Sequence, residues 1–184
     1  MSASHLLILT CCLVLAQNVR GQTQINCQRP PQLVDPSLCC RDGGRDQITE
    51  QCAQKIVGSA ANGPPSIETA TCLAECILTT SNYITEPQKI NATNIRNNLS
   101  AKFSDKEYVE AMSMAFTKCE PQAQQRLAVI QQQQRQQPKC SPFSAILLGC
   151  TYMEYFKNCP ANRWTQSTEC ALAKTFVTQC GLGA

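Results

Sequence analysis

The chain has 184 residues and a formal net charge of +3, from 16 Lys and Arg against 13 Asp and Glu. The basic residues form no block, and a nucleic-acid face needs one. Cys11 and Cys12 belong to an apolar leader, which leaves twelve of the 14 cysteines, and the only histidine, His5, lies in that leader too. An even cysteine set reads as a disulfide framework, and the missing imidazole removes the commonest general base and the commonest metal ligand.

The stretch Leu6–Leu15 is apolar but too short to span a bilayer, which takes about 20 residues. It fits a secretory signal peptide over 1–21, with cleavage after Gly21 or after Ala16. The mature chain, 22–184, is then a single extracellular domain in an oxidising compartment. No later stretch approaches membrane-spanning length.

Residues 22–44 read as irregular, broken by Pro30-Pro31, Pro36, Cys39-Cys40 and Gly43-Gly44. From Asp46 the pattern turns helical through Ile48, Cys52, Ile56 and Val57, and Gly58 with Asn62-Gly63-Pro64-Pro65 ends it. Ser66 caps a second helix whose broad face carries Ala70, Cys72, Leu73, Cys76 and Ile77, ending near 81–85. Residues 87–103 are polar and Asn-rich, a loop with one helical turn. They hold two glycosylation sequons, Asn91-Ala92-Thr93 and Asn98-Leu99-Ser100, as candidate modification sites.

Ser104-Asp105-Lys106-Glu107 then reads as a capping box, with Ser104 and Glu107 in the reciprocal positions. Tyr108, Val109, Met112, Ala115, Phe116 and Cys119 follow on one stripe. Nine glutamines within 121–137 surround Leu127, Val129 and Ile130. Gln and Ala permit a helix there, and the tract reads as a solvated insertion, near 121–138, between core helices. Phe143–Lys157 is apolar nearly all round, so it should lie centrally. Cys159-Pro160 ends it, and Thr165 or Ser167 caps a last helix through Leu172, Phe176, Val177 and Cys180. Alternating β-branched strands are absent. The expected fold is all-α, a compact disulfide-knit bundle of five to seven short helices around an apolar cavity.

Cys72 and Cys76, four apart, project from one helix face and cannot conveniently bond each other. Cys150 and Cys159, and the neighbours Cys39 and Cys40, likewise need separate partners. The run Cys72-x3-Cys76-x42-Cys119-x20-Cys140-x9-Cys150-x8-Cys159-Pro160-x9-Cys170 resembles the plus-C, twelve-cysteine subfamily of insect odorant-binding proteins, over nearly the whole mature chain. The resemblance implies six core cysteines paired Cys52–Cys76, Cys72–Cys150 and Cys119–Cys159. Cys140 also fits the fourth place, in which case it rather than Cys119 would reach Cys159. Cys27, Cys39, Cys40, Cys140, Cys170 and Cys180 would supply three further bridges.

The chemistry that remains is narrow. Cys39-Cys40-Arg41-Asp42 is superficially like the paired cysteines and His-Asp of secreted phospholipases, but Arg41 stands in the catalytic place. Paired cysteines supply no thiolate for zinc, and Asp42, Asp46 and Glu50 read as a solvated loop and helix start. The expectation is no catalytic residue, no metal and no cofactor. The resemblance implies a carrier of small hydrophobic volatiles through aqueous lymph, without membrane insertion, as a monomer or homodimer, with an olfactory receptor as a candidate partner. Candidate ligand contacts are Tyr108, Met112, Phe116, Ile130, Phe143, Ile146, Leu147, Met153, Phe156 and Phe176. Ordinary core packing is the plainer reading of each one. A secreted structural or interaction protein, salivary or from haemolymph, is the alternative function.

Overall fold

A computed structural model describes residues 25–29, 34–56, 58, 66–133 and 138–182. The expected leader and both cleavage sites lie outside the described residues. Contacts divide the chain into two units, 1–30 and 31–184. In the first, residues 25–29 form a turn in which the Arg29 amide donates to the Asn26 carbonyl at 3.1 Å.

The second unit is helical. One short turn, α1 (Pro36–Cys39), precedes α2 (Gln47–Ile56) and α3 (Ile67–Thr80). A hairpin of β1 (Ile84–Glu86) and β2 (Lys89–Ile90) leads into α4 (Ala92–Lys102). The long α5 (Lys106–Gln133), α6 (Pro142–Lys157), a 3-10 turn over Ala161–Arg163, and α7 (Thr168–Gln179) follow. All-α is thus the architecture, with one two-stranded hairpin added.

The caps explain where the helices begin. Ser66 accepts from the Thr69 amide and Ser167 from the Cys170 amide, each at 3.1 Å, satisfying donors that a helix start leaves open. Asp46 does the same for Thr49 at 2.8 Å. At α5 the cap is one residue later than the sequence pattern suggests. Asp105, not Ser104, accepts from the Tyr108 amide at 3.1 Å. A carboxylate serves both as cap and as a favourable charge at the positive helix end.

Two segments differ from the sequence reading. Residues 92–102 are a full helix, capped by Asn91, whose side chain accepts from the Asn94 amide. Its polar composition hides a short inner face of Ile95 and Leu99, both buried. Its asparagines serve the preceding helix: Asn94 and Asn98 both donate from Nδ2 to the Ser81 carbonyl, at 3.3 and 3.0 Å. Asn82, left-handed at φ 54°, follows that carbonyl. The described part of the Gln-rich tract, up to Gln133, is helical. It continues α5 without a break, and its inner residues Ala123 and Leu127 are buried. The polar outer face had obscured a period-3.6 apolar stripe.

The core lies where α6 runs between α3 and α5. Phe143, Leu147, Tyr155 and Phe156 of α6 are almost wholly buried. Five bridges have defined partners: Cys39–Cys170, Cys40–Cys159, Cys52–Cys76, Cys72–Cys140 and Cys119–Cys150. Cys27 and Cys180 are disulfide-bonded as well.

Two pairings implied by the resemblance are therefore replaced. Cys72 meets Cys140 rather than Cys150, and Cys119 meets Cys150 rather than Cys159. The reason is the placement of α6. Its first residues sit beside α3, where Glu75 accepts from the Ser141 amide at 3.2 Å, so Cys140 reaches Cys72. Cys150 lies about 15 Å further along, at 1.5 Å per residue, and faces α5. Cys159, whether matched with Cys119 or with Cys140 in the sequence reading, instead takes Cys40.

That last bridge belongs to a wider clamp. The Thr165 amide donates to the Cys39 carbonyl at 2.7 Å, and the Arg41 amide to the Arg163 carbonyl at 3.1 Å. Cys40 and Trp164 pair as an isolated bridge. Residues 38–42 are thus zipped to 161–165 and flanked by two disulfides. Gly43 ends the clamp where no side chain fits. A Cβ there would run into the Phe103 ring and stand 2.8 Å from the Tyr108 hydroxyl.

Candidate functional site

Helices α5 and α6 form an antiparallel hairpin fixed by Cys119–Cys150. Between the first turns of α5 and the end of α6 lies a groove of about 690 Å³. Ala111, Met114 and Ala115 of α5 and Pro160 supply its apolar surface. Lys106, Glu107, Glu110 and Lys118 stand at its charged edges, with Glu154 and Asn158 on the α6 side. Met114 is 62% exposed, unusual for so large an apolar side chain.

Glu154 is the chemically unusual member. Its side chain is 2% exposed, yet it is a carboxylate in the most apolar helix of the chain. Lys118 donates to its Oε2 at 2.5 Å, and Lys157, one turn on, pairs with its other oxygen. Burial pushes its pKa up, but the hydrogen bonds from Lys118 and Lys157 outweigh that and hold it below the ordinary value. Glu154 is therefore charged at neutral pH and braces the groove wall. A charge buried this deeply needs such partners.

A second concavity, about 440 Å³, lies on the far half of α5, lined by Gln122, Gln125, Arg126, Val129 and Ile130.

The ten candidate contacts do not converge on either place. Tyr108, Phe116, Phe143, Leu147, Phe156 and Phe176 are buried, while Met112, Ile130, Ile146 and Met153 are partly exposed. Tyr108 and Ile130 stand 22 residues apart on one helix, about 33 Å along its axis. Three of the aromatic members pack against rings outside the set. Phe116 meets Tyr83 edge-on at 5.6 Å, Tyr108 meets Tyr155 at 5.5 Å, and Phe156 meets Trp164 at 5.7 Å. None of the ten lines the α5–α6 groove, and Ile130 alone lines the second concavity.

Two buried tyrosines near the core are held in the neutral form by burial. Tyr155 donates to the Arg41 carbonyl at 2.7 Å, and burial pushes its pKa up to about 12. Burial does the same to Tyr83. What the sequence reading missed are Glu154, Lys118 and Met114. A lone acid in an otherwise apolar helix was the available signal for Glu154.

Among the described residues no group of three or more His, Cys, Asp and Glu is placed to hold a metal ion. No described helix is long and apolar enough to cross a membrane. Fold and groove together define a disulfide-knit, all-helical domain with an apolar surface cleft and a buried, lysine-held carboxylate.

Residues 31–176 match the AgamOBP47-like family, a family of insect odorant-binding proteins, and the chain belongs to it. Proteins of this kind are typically secreted binding proteins without catalytic activity. No curated protein matches the chain closely enough to refine that statement.

Proposed function

We propose that the protein is a secreted carrier of small hydrophobic ligands, odorants or pheromone-like volatiles, moving them through aqueous lymph toward an olfactory receptor. Family membership is the observation that carries this reading. The α5–α6 groove is the seat it favours. Its size falls in the range of about 300–1,000 Å³ usual for small-molecule sites, and apolar walls with a few polar groups are the usual lining. Binding would be driven by desolvation, at about 25 cal/mol per Å² of apolar surface removed from water. Met114 suits ligands of varied shape, because the thioether side chain is flexible and polarisable.

Displacement of a fluorescent apolar probe by volatile alcohols, aldehydes and esters tests the carrier reading. Met114→Asp and Ala111→Gln should weaken probe binding at least tenfold while helical circular dichroism is kept. Unchanged affinity in both variants would remove the groove as the seat. An interaction protein without a small-molecule ligand is the second reading, favoured by the mutual packing of the core aromatics. It predicts that no probe binds at all.

A further inference from the structure

The two sequons sit in very different surroundings, and we propose that Asn91 carries an N-linked glycan in the secreted protein while Asn98 stays bare. Asn91 is the residue before α4. Its Oδ1 accepts from the Asn94 amide at 3.0 Å, which caps the helix and turns the amide nitrogen away from it. The Asn91 Nδ2 has no hydrogen-bond partner among the described residues, and Ala92 and Thr93 beside it are exposed.

Glycosylation replaces one Nδ2–H bond by a bond from Nδ2 to the anomeric carbon of an oligosaccharide. The bond from that carbon to a lipid pyrophosphate breaks, the pyrophosphate leaves with the electron pair, and the displaced proton goes to water. Oδ1 is untouched by this exchange, so the cap at Asn91 survives.

Asn98 differs at the same atom. It lies within α4, partly buried, and its Nδ2 donates to the Ser81 carbonyl at 3.0 Å. Ser81 is only 5% exposed, and Asn94 donates to the same carbonyl. A sugar on the Asn98 nitrogen would have to occupy the seam between α4 and the end of α3. Transfer precedes folding, so a chain modified at 98 would fail to close that seam and would be lost from the secreted pool.

The test is glycopeptide mass spectrometry on protein secreted from insect cells, comparing wild type with Thr93→Ala and Ser100→Ala. Each variant destroys one sequon and leaves both asparagines in place. Wild type and Ser100→Ala should carry a single glycan at Asn91, and Thr93→Ala should carry none. A glycan at Asn98 in secreted, folded protein, or bare Asn91 in wild type, would overturn the proposal. Neither outcome depends on whether a small ligand binds.

Discussion

Arg163 lays its guanidinium over the ring of Tyr108, 4.1 Å from the centroid, and donates from Nε to Asp105 at 2.7 Å. Its other arm donates to the carbonyls of Arg41 and Asp42, at 3.0 and 3.2 Å. One planar cation thus joins the start of α5, the 3-10 turn and the segment after α1. Lysine keeps the charge but not the fork or the flat stacking face. Arg163→Lys should lower stability by about 1–2 kcal/mol, from lost cation–π stacking and charge-assisted hydrogen bonds. A shift in the urea midpoint with unchanged slope is the measurement; no shift would mean the clamp closes without Arg163.

Thr151 is 2% exposed, and its hydroxyl has no hydrogen-bond partner. Thr71, Thr117 and Thr175, by contrast, each donate to the carbonyl four residues back, at 2.8 to 3.1 Å. Thr151→Val keeps the shape and removes the unsatisfied group. Stability should rise by about 1 kcal/mol, seen as a Tm higher by roughly 2–4 °C. A lower Tm would show that the hydroxyl has a partner in solution.

Asp46, Asp105 and Glu154 titrate below their ordinary values of 3.8, 3.8 and 4.5. Burial raises Asp46 and Glu154 but is outweighed, through Lys102 for Asp46 and through Lys118 and Lys157 for Glu154. Asp105 is lowered chiefly by Arg163. A depressed folded-state pKa stabilises the fold fully above the ordinary value and is given up as pH falls through the folded value. Acid destabilisation should therefore begin below about pH 4.5, and Glu154→Gln should soften it. Between pH 5.5 and 7.5 neither stability nor probe affinity should change appreciably, because the only histidine is His5. Fluorescence titrations across that window check this, and a tenfold loss of affinity would sink it.

Removing Cys119–Cys150 by a double alanine substitution opens a loop closed across 31 residues. The expected cost is about 3–4 kcal/mol by the chain-entropy relation. Because the bridge fixes the two helices that wall the groove, probe affinity should fall with it. Peptide mapping under non-reducing conditions should recover Cys119–Cys150 and Cys72–Cys140 peptides. Recovery of Cys72–Cys150 would reverse the pairing described above.

Much of this architecture was legible in the chain itself. Ser66 and Ser167 announce helix starts because a cap depends only on residues three apart. The oxidised, helical character follows from cysteine number and apolar spacing, both local or additive properties. Where the signal was weaker, polar composition masked a real stripe. Ile95 and Leu99 bury one face of an Asn-rich helix, and Ala123 and Leu127 do so beneath the glutamines. What only the tertiary structure decided are relations between distant residues. Cys40 finds Cys159 across 119 positions, and Glu154 is held as a buried anion by Lys118 of the neighbouring helix together with Lys157 of its own. Spacing along a helix says which way a side chain points, while its partner depends on which helix is packed opposite.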